Sequence, residues 1–441
     1  MPTGSLTPST GPSEGMVPEQ PQSPGPVPGR GLLINRNFAL LASGQAISNS
    51  GDFVYSTTLL VWVFALTHSA AAISGVLIAQ YAPIFLLGPV AGVFVDRWNR
   101  RTTMIVADVT RAVVTLLPLV VPAFLRLPAI YASVFLLATF ARFFMPAKSG
   151  VLQVIVAEKQ QPQAASISQA TFALAFIIGP AIASPLYFAL GPFIAVSINA
   201  FSFLVSALCI VLLRVSRQEM RPALAAGAPQ QGGVGAIVRE LLAGFRFVAR
   251  TRVLLMVVVL ALIAMLGAGA LNALDIVFVS LRLHVSTALY GPLTASAGMG
   301  TLLGAIVAGL IASKVSSRHM LAGSVFLLGV GLTIYAFQTN FLLALAVIFI
   351  ASSPQGAIDV GFMPLMLSVT PKTLMGRVQS VIETSMYGMS LISLGLAGFV
   401  AQFVPVYIIF ACCGLLFVVS GLFGWFAIPE PPKEQKFAAE G

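Results

Sequence analysis

The sequence predicts an all-α integral membrane protein of twelve membrane-spanning helices arranged as two homologous six-helix bundles. Three observations carry that prediction. Hydrophobic residues make up 58% of the 441-residue chain and charged residues 9%, with a mean hydropathy of +0.95; soluble domains carry about a quarter charged residues. Twelve apolar stretches follow one another, each long enough at about 1.5 Å per residue to cross a hydrocarbon layer of about 30 Å. The second six repeat the first at a nearly constant offset.

The stretches cover residues 38–66, 72–95, 103–125, 128–147, 165–190, 192–213, 253–280, 288–312, 320–338, 341–367, 378–403 and 405–428. Before them, residues 1–34 are rich in Pro, Gly and Ser and contain no apolar run, which predicts a disordered tail. The tail lacks the basic start and apolar core of a signal peptide, so the first helix is expected to initiate insertion. The organisation expected is a tail (1–34), a first bundle (35–213), a linker (214–252), a second bundle (253–429) and a carboxy-terminal tail (430–441). The linker carries seven basic residues and the run AAGAPQQGGVG. Within it, Ile237 to Arg250 has apolar residues at helical spacing beside Arg239, Arg246 and Arg250, the pattern of an amphipathic helix lying on the membrane surface.

Of the 24 Lys and Arg, Arg126 and Arg282 fall on one side of this layout, Arg111 and Arg142 fall within spans, and the other 20 fall on the side of the two termini. The positive-inside rule makes that side cytoplasmic. The net charge of +10 is therefore membrane-orienting, and no nucleic-acid surface is expected.

The repeat is read from pairs. His68 and Gly75 match His284 and Gly291 at an offset of 216; Gly92, Arg97 and Arg101 match Gly309, Lys314 and Arg318 at 217; Met145 and Pro146 match Met363 and Pro364 at 218. Such parallel repeats are related by an axis along the membrane normal.

Residues 88–101, GPVAGVFVDRWNRR, are the densest motif. Gly88 and Gly92 share one helix face, where small residues permit close backbone contact. Asp96, Arg97, Arg100 and Arg101 then form a charged turn. This resembles the loop signature of the major facilitator superfamily, G-x-x-x-D-R-x-G-R-R, with Asn99 in place of a Gly; Asn is the side chain next best able to adopt a left-handed backbone. In the second copy Ser313 replaces the Asp. The tokens NSGDF, ADVTRA and GRVQS add a likeness to the branch of macrolide efflux proteins and enterobactin-type siderophore exporters. The resemblance covers about residues 36–429.

Intramembrane charges are costly and mark cavities or partners. Asp52, Arg142, Asp275 and Asp359 lie one each on the first, fourth, seventh and tenth spans, the helices that line the cavity in that superfamily. Asp52 falls roughly 20 Å into its helix, near the midplane; Asp275 falls toward the outer end and Asp359 in the inner third. Each has a plain alternative: interfacial solvation for Asp275 and Asp359, a bracing ion pair for Arg142, a packing hydrogen bond for Asp52. Asp108 and Arg111 are neighbours at i, i+3 and are expected to tie the third helix to the turn at Asp96 to Arg101. Phe143, Phe144, Met145, Phe362, Met363 and Met366 are expected to give the cavity an adaptable apolar wall. FIIGPAIASP resembles the G-P-x-x-G signature of drug–proton antiporters, with Ala183 for the last Gly; Gly179, Pro180 and Ala183 would form a close-packed kink.

His68, His284 and His319 are expected in loops, without metal-ligand spacing, and no phosphate-binding loop is present. Cys209, Cys412 and Cys413 imply neither a disulfide nor a metal framework. The expectation is a transporter, not an enzyme, without cofactor or metal, monomeric in the bilayer of the plasma membrane. What the resemblance implies is export of an amphipathic organic small molecule, a drug, macrolide or siderophore, in exchange for protons by alternating access. A proton-coupled nutrient importer or a non-transporting receptor or assembly member are the other readings.

Overall fold

The computed structural model describes residues 34–95, 98–215, 234–371 and 374–429. The expected tails at 1–33 and 430–441, most of the linker, and the turn residues Asp96 and Arg97 lie outside the described residues. Among those described, thirteen α-helices run in the order α1 (Arg36–Thr67), α2 (Ala70–Val95), α3 (Arg100–Thr115), α4 (Leu117–Val120), α5 (Arg126–Ile155), α6 (Gln161–Val211), α7 (Val234–Arg250), α8 (Arg252–Leu281), α9 (Tyr290–Ile311), α10 (Ser317–Ala336), α11 (Phe341–Val369), α12 (Met375–Val400) and α13 (Val406–Ala427). No strand occurs among the described residues.

Among them, ten helical segments are long and apolar enough to cross a membrane. Helix α6 counts twice, because its 51 residues would reach about 75 Å if straight, more than two bilayer cores. It folds at Gly191, whose φ of 75° only glycine adopts freely, followed by Pro192. This is the predicted break between 190 and 192. Helix α12, diluted by Arg377 and Glu383, is the eleventh span in chain order and brings the count to twelve. Boundaries move at two spans in particular: the predicted third span, 103–125, is broken after Thr115 into α3 and α4, and α5 runs eight residues past the predicted end at 147, through Pro146 to Ile155. Val151 and Ile155 bury against Phe38, Met104 and Ile210 there, and that packing outweighs the hydrogen bond Pro146 cannot donate.

The two halves are α1–α6 and α8–α13. Their equivalence extends to details of the backbone. His68, the residue that caps α1, and its repeat partner His284, in the loop just after α8, both take the left-handed conformation (φ 49° and 54°) and are the only non-glycine residues with positive φ among those described. Arg101 donates to the carbonyls of Ile210 and Val211 at the end of α6, and its partner Arg318 donates to that of Ile428 beyond α13. Each half is thus closed by an arginine that satisfies the open carbonyls of its last helix. His319, by contrast, lies inside α10 rather than in a loop. It is held between the Ser316 hydroxyl at 2.6 Å and Arg318, and packs on Trp425.

The halves meet through α2 with α12 and α6 with α9. We call the end carrying Arg100 and the start of α8 the linker face. On the opposite face the contact is close: the Gly291 N–H donates to the Ser184 hydroxyl at 3.0 Å, and a side chain at Gly398 would meet Ser74 and the Ala71 backbone. Tyr81 and Tyr387 meet edge to face at 5.5 Å nearer the middle. On the linker face a cleft of about 640 Å³ separates Arg100, Pro146 and Gln153 from Gly376, Gln379 and Glu383. The halves are therefore apposed on the far side and parted on the linker side.

Within the second half, Gly300 and Gly304 of α9 lie against the Phe349 and Ser353 carbonyls of α11, and Gly356 of α11 against the backbone of Thr301 and Ala305. Backbone contact of this kind is how membrane helices gain dispersion without a hydrophobic drive. Gly304→Leu is expected to cost about 1–3 kcal/mol or more by overpacking, seen as a lowered melting temperature in detergent. Gly309→Leu, on the same helix with open space around it, should melt like the parent protein; equal melting of both variants would contradict the packing.

Candidate functional site

The site grows from a polar stripe on α1. Gln45, Asn49 and Asp52 recur at i, i+4 and i+7, so they share one helix face, and all three line a cavity of about 400 Å³ within the first half. Helix α2 adds Gln80, α3 adds Arg111, α5 adds Arg142, Phe144 and Met145, and α6 adds Phe172 and Phe203. Met145 lines the cavity and the next residue, Pro146, lines the cleft, so the two spaces follow each other along α5 toward the linker face.

Asp52 sits near the middle of α1 and accepts a hydrogen bond from Asn199 of α6 at 3.4 Å. Arg111 forms an ion pair with Asp108 one turn earlier on α3, the only ion pair among the described residues. Its guanidinium carbon lies 4.6 Å from the Phe144 ring centre and 4.4 Å from that of Phe203. A permanent cation is thus clasped by a carboxylate at one edge and two aromatic faces, with little water: Asp108 is fully buried and Arg111 is 6% exposed. Of the charged turn to which this pair is expected to tie, Arg100 and Arg101 bond to carbonyls of α5 and α6, and Asp96 and Arg97 lie outside the described residues. The pair braces α3 against α5 and α6, because Phe144 and Phe203 come from those helices. Beside it, Lys148 donates to Gln45 at 3.4 Å, and Gln45 donates to Ser206 at 3.2 Å.

Arg142 faces the same cavity. It forms no ion pair among the described residues, and its Nε is buried without a hydrogen-bond partner. The other two predicted charges are placed elsewhere. Asp275 on α8 accepts from Tyr335 of α10 at 3.4 Å, beneath the stack of Phe278 on Phe410 at 4.7 Å. Asp359 is exposed on α11. The four charges do not converge; Asp52 and Arg142 do, with Arg111 added. Of the predicted apolar wall, Phe144 and Met145 line the cavity, Phe143 packs on Trp98 at 5.8 Å, and Met366 is buried with Val378 and Val381.

Gly88 and Gly92 lie in α2, and the close contact expected of them is not made at Gly88, around which space is open. Arg100 reaches the Gly150 carbonyl of α5 at 3.3 Å, and Asn99, in the predicted place of Gly, caps α3 by accepting from Thr102 at 3.1 Å. The motif at Gly179, Pro180 and Ala183 is close-packed but not the break: α6 stays helical through Pro180, and the backbone turns at Gly191. Gly179 lies on Phe53 and the Val54 backbone, Ala183 is fully buried, and the Pro180 carbonyl abuts Gly291 of the other half.

Sequence reasoning missed Arg111, Gln45, Gln80, Lys148 and Asn199 as members of the site. The i, i+4, i+7 spacing of Gln45, Asn49 and Asp52 was a readable signal for Gln45; no comparable pattern marks Asn199.

Two pseudo-symmetric bundles of six membrane helices, the first enclosing a cavity that holds buried charges, define a transporter of the major facilitator superfamily, not an enzyme. Residues 32–439 match the family model described as transmembrane secretion effector, and the chain belongs to that family. It is 26% identical over 410 residues to the multidrug efflux pump Tap of Mycolicibacterium fortuitum, spanning 90% of this chain and 96% of the relative. It is 23% identical over 300 residues to macrolide efflux protein A of Streptococcus pyogenes, 67% and 72% of the two. Among solved structures, a point mutant of the nucleoside transporter NupG superposes with a TM-score of 0.70 at 13% identity, covering 89% of this chain and 99% of that one; this likeness is one of fold.

Removing one partner of a buried ion pair leaves the other uncompensated at a cost of about 3–5 kcal/mol. Arg111→Gln is accordingly expected to depress folded yield and melting temperature strongly, whereas Asp108→Asn with Arg111→Gln together should recover most of both. A single variant as stable as its parent would show that the pair does not brace the bundle.

Proposed function

We propose that this protein is a secondary active exporter of an amphipathic organic molecule, sited in the plasma membrane with the linker face cytoplasmic, and that it exchanges substrate for protons by rocking its two halves. The observation that carries the reading is the cavity itself. A titratable carboxylate, Asp52, shares it with two cations, Arg111 and Arg142, on a wall of Phe53, Phe144, Phe172 and Met145. Arginine keeps its charge in proteins, so of these three only Asp52 can take up and release a proton. Aromatic and thioether groups accept varied apolar shapes, and the relatives named for macrolide and multidrug efflux agree with that ligand class. The basic residues at the linker face support its cytoplasmic assignment. The test is a panel of macrolides, cationic dyes and siderophores scored for resistance and accumulation on expression; unchanged sensitivity to all of them, with accumulation of a nutrient instead, would overturn export.

Asp52→Asn keeps most hydrogen-bonding capacity and removes titration. Proton-driven export in vesicles is expected to collapse while expression and ligand binding persist, and a variant that still exports uphill would take Asp52 out of the coupling. The resemblance implies that Asp96 would face the start of α12 near Gly376 to Ser380. That helix begins at Met375 without a side-chain cap, so its N–H groups and dipole favour an anion by roughly 0.3–1 kcal/mol. Asp96→Asn should shift the population toward the state open at the linker face. Identical cysteine accessibility on both faces of that variant would count against the lock.

A further inference from the structure

Helix α7 divides into three stripes. At about 100° per residue, Gly244 and Val248 point to one side; both are buried, and a side chain at Gly244 would lie 2.9 Å from the Arg377 carbonyl of α12. Arg239, Arg246 and Arg250 fall within about 40° of one another on another side, and all are exposed. Between these lie Leu242, Phe245 and Ala249, of which Leu242 is 59% and Phe245 60% exposed. The helix that leaves this apolar stripe uncovered is joined to α8 by a break at Thr251, in extended conformation, and packs on α12, α8 and α2 at the linker face. That is the level at which the spans leave the hydrocarbon.

We propose that α7 is a docking surface for the anionic phospholipid leaflet, with Leu242, Phe245 and Ala249 in the acyl boundary and the three arginines on lipid phosphates. The charge is complementary to such a leaflet, and an apolar stripe bordered by a basic one is the form that binds it. Continuity with the bilayer that the spans already occupy selects lipid over a separate protein partner. Because the opposite side of α7 rests through Gly244 on the first turn of α12, headgroup binding also presses on the helix that borders the cleft. The inference does not depend on what the protein transports.

The test uses the full chain with Cys209, Cys412 and Cys413 replaced by Ala and a nitroxide on Ala249→Cys, reconstituted in phosphatidylcholine vesicles with or without phosphatidylglycerol. Collisions with oxygen, which partitions into lipid, are compared with collisions with a water-soluble nickel chelate. With phosphatidylglycerol the label is expected to favour oxygen. In phosphatidylcholine alone the docked-to-undocked ratio should fall by roughly fivefold per arginine. Arg239→Gln, Arg246→Gln and Arg250→Gln combined should reproduce the neutral-lipid value in anionic vesicles, and Arg246→Gln alone should lie between. A label indifferent to lipid charge, whether wet throughout or covered by protein throughout, would overturn the proposal. So would a shift produced in phosphatidylcholine vesicles by inorganic phosphate, which would mark an ion site instead of a leaflet surface.

Discussion

A cation that cannot be neutralised has to be compensated before a helix can carry it into a bilayer, and Arg111 is where this protein meets that constraint. Charged groups at the centre of a membrane helix cost several kcal/mol unless partnered. The partners of Arg111 come from three directions: Asp108 on its own helix, Phe144 from α5 and Phe203 from α6. Satisfying the guanidinium therefore fixes how α3, α5 and α6 stand relative to one another, and that arrangement gives Asp52 a polar wall opposite α1. The cavity follows from the compensation of a charge as much as from any shape complementarity between helices.

The repeat makes the asymmetry of the site informative. Both halves keep a left-handed histidine after a helix and the arginine that closes the last helix, which are features of scaffold. The second half carries Ser313 where the first has Asp96, and its buried acid, Asp275, is held by Tyr335 within an aromatic stack outside the cavity. Polar machinery is concentrated in the first half, and the second supplies a surface against which it closes.

The fold was legible because hydrocarbon permits few solutions: backbone groups must bond internally, so long apolar runs are helices, and turn residues such as Gly191 with Pro192 mark where they break. The repeat and the amphipathic α7 were readable from spacing alone. The site was legible only in part. Asp52 and Arg142 stand out as charges in apolar runs, but which charges converge depends on helix rotation, which hydropathy does not encode. Asp275 shows the difficulty: its position on α8 matches that expected of a cavity residue, yet packing turns it toward Tyr335. Asp108 and Arg111 are recognisable as neighbours, but their spacing fixes a shared face without saying that this face meets Phe144 of α5 and Phe203 of α6.

The two faces differ in a way that bears on how such halves can move. On the far side contact is made by Gly291, Ser184, Gly398, Ser74 and Ala71, residues with little side-chain entropy to lose and little area to separate. Inside the second half, by contrast, α9 and α11 bring three glycines against each other's backbone along their length. Packed cores resist deformation while interfaces of small area can exchange partners, so motion is directed to the seam between halves and away from their interiors. On the linker side the seam is already parted by a cleft lined with Arg100, Gln153, Gln379 and Glu383, groups that solvent can satisfy when the halves separate. Opening at that end leaves hydrated polar groups, and opening at the other exposes a few small side chains; neither strands a buried charge, because Arg111 and Asp108 remain paired within a single half throughout.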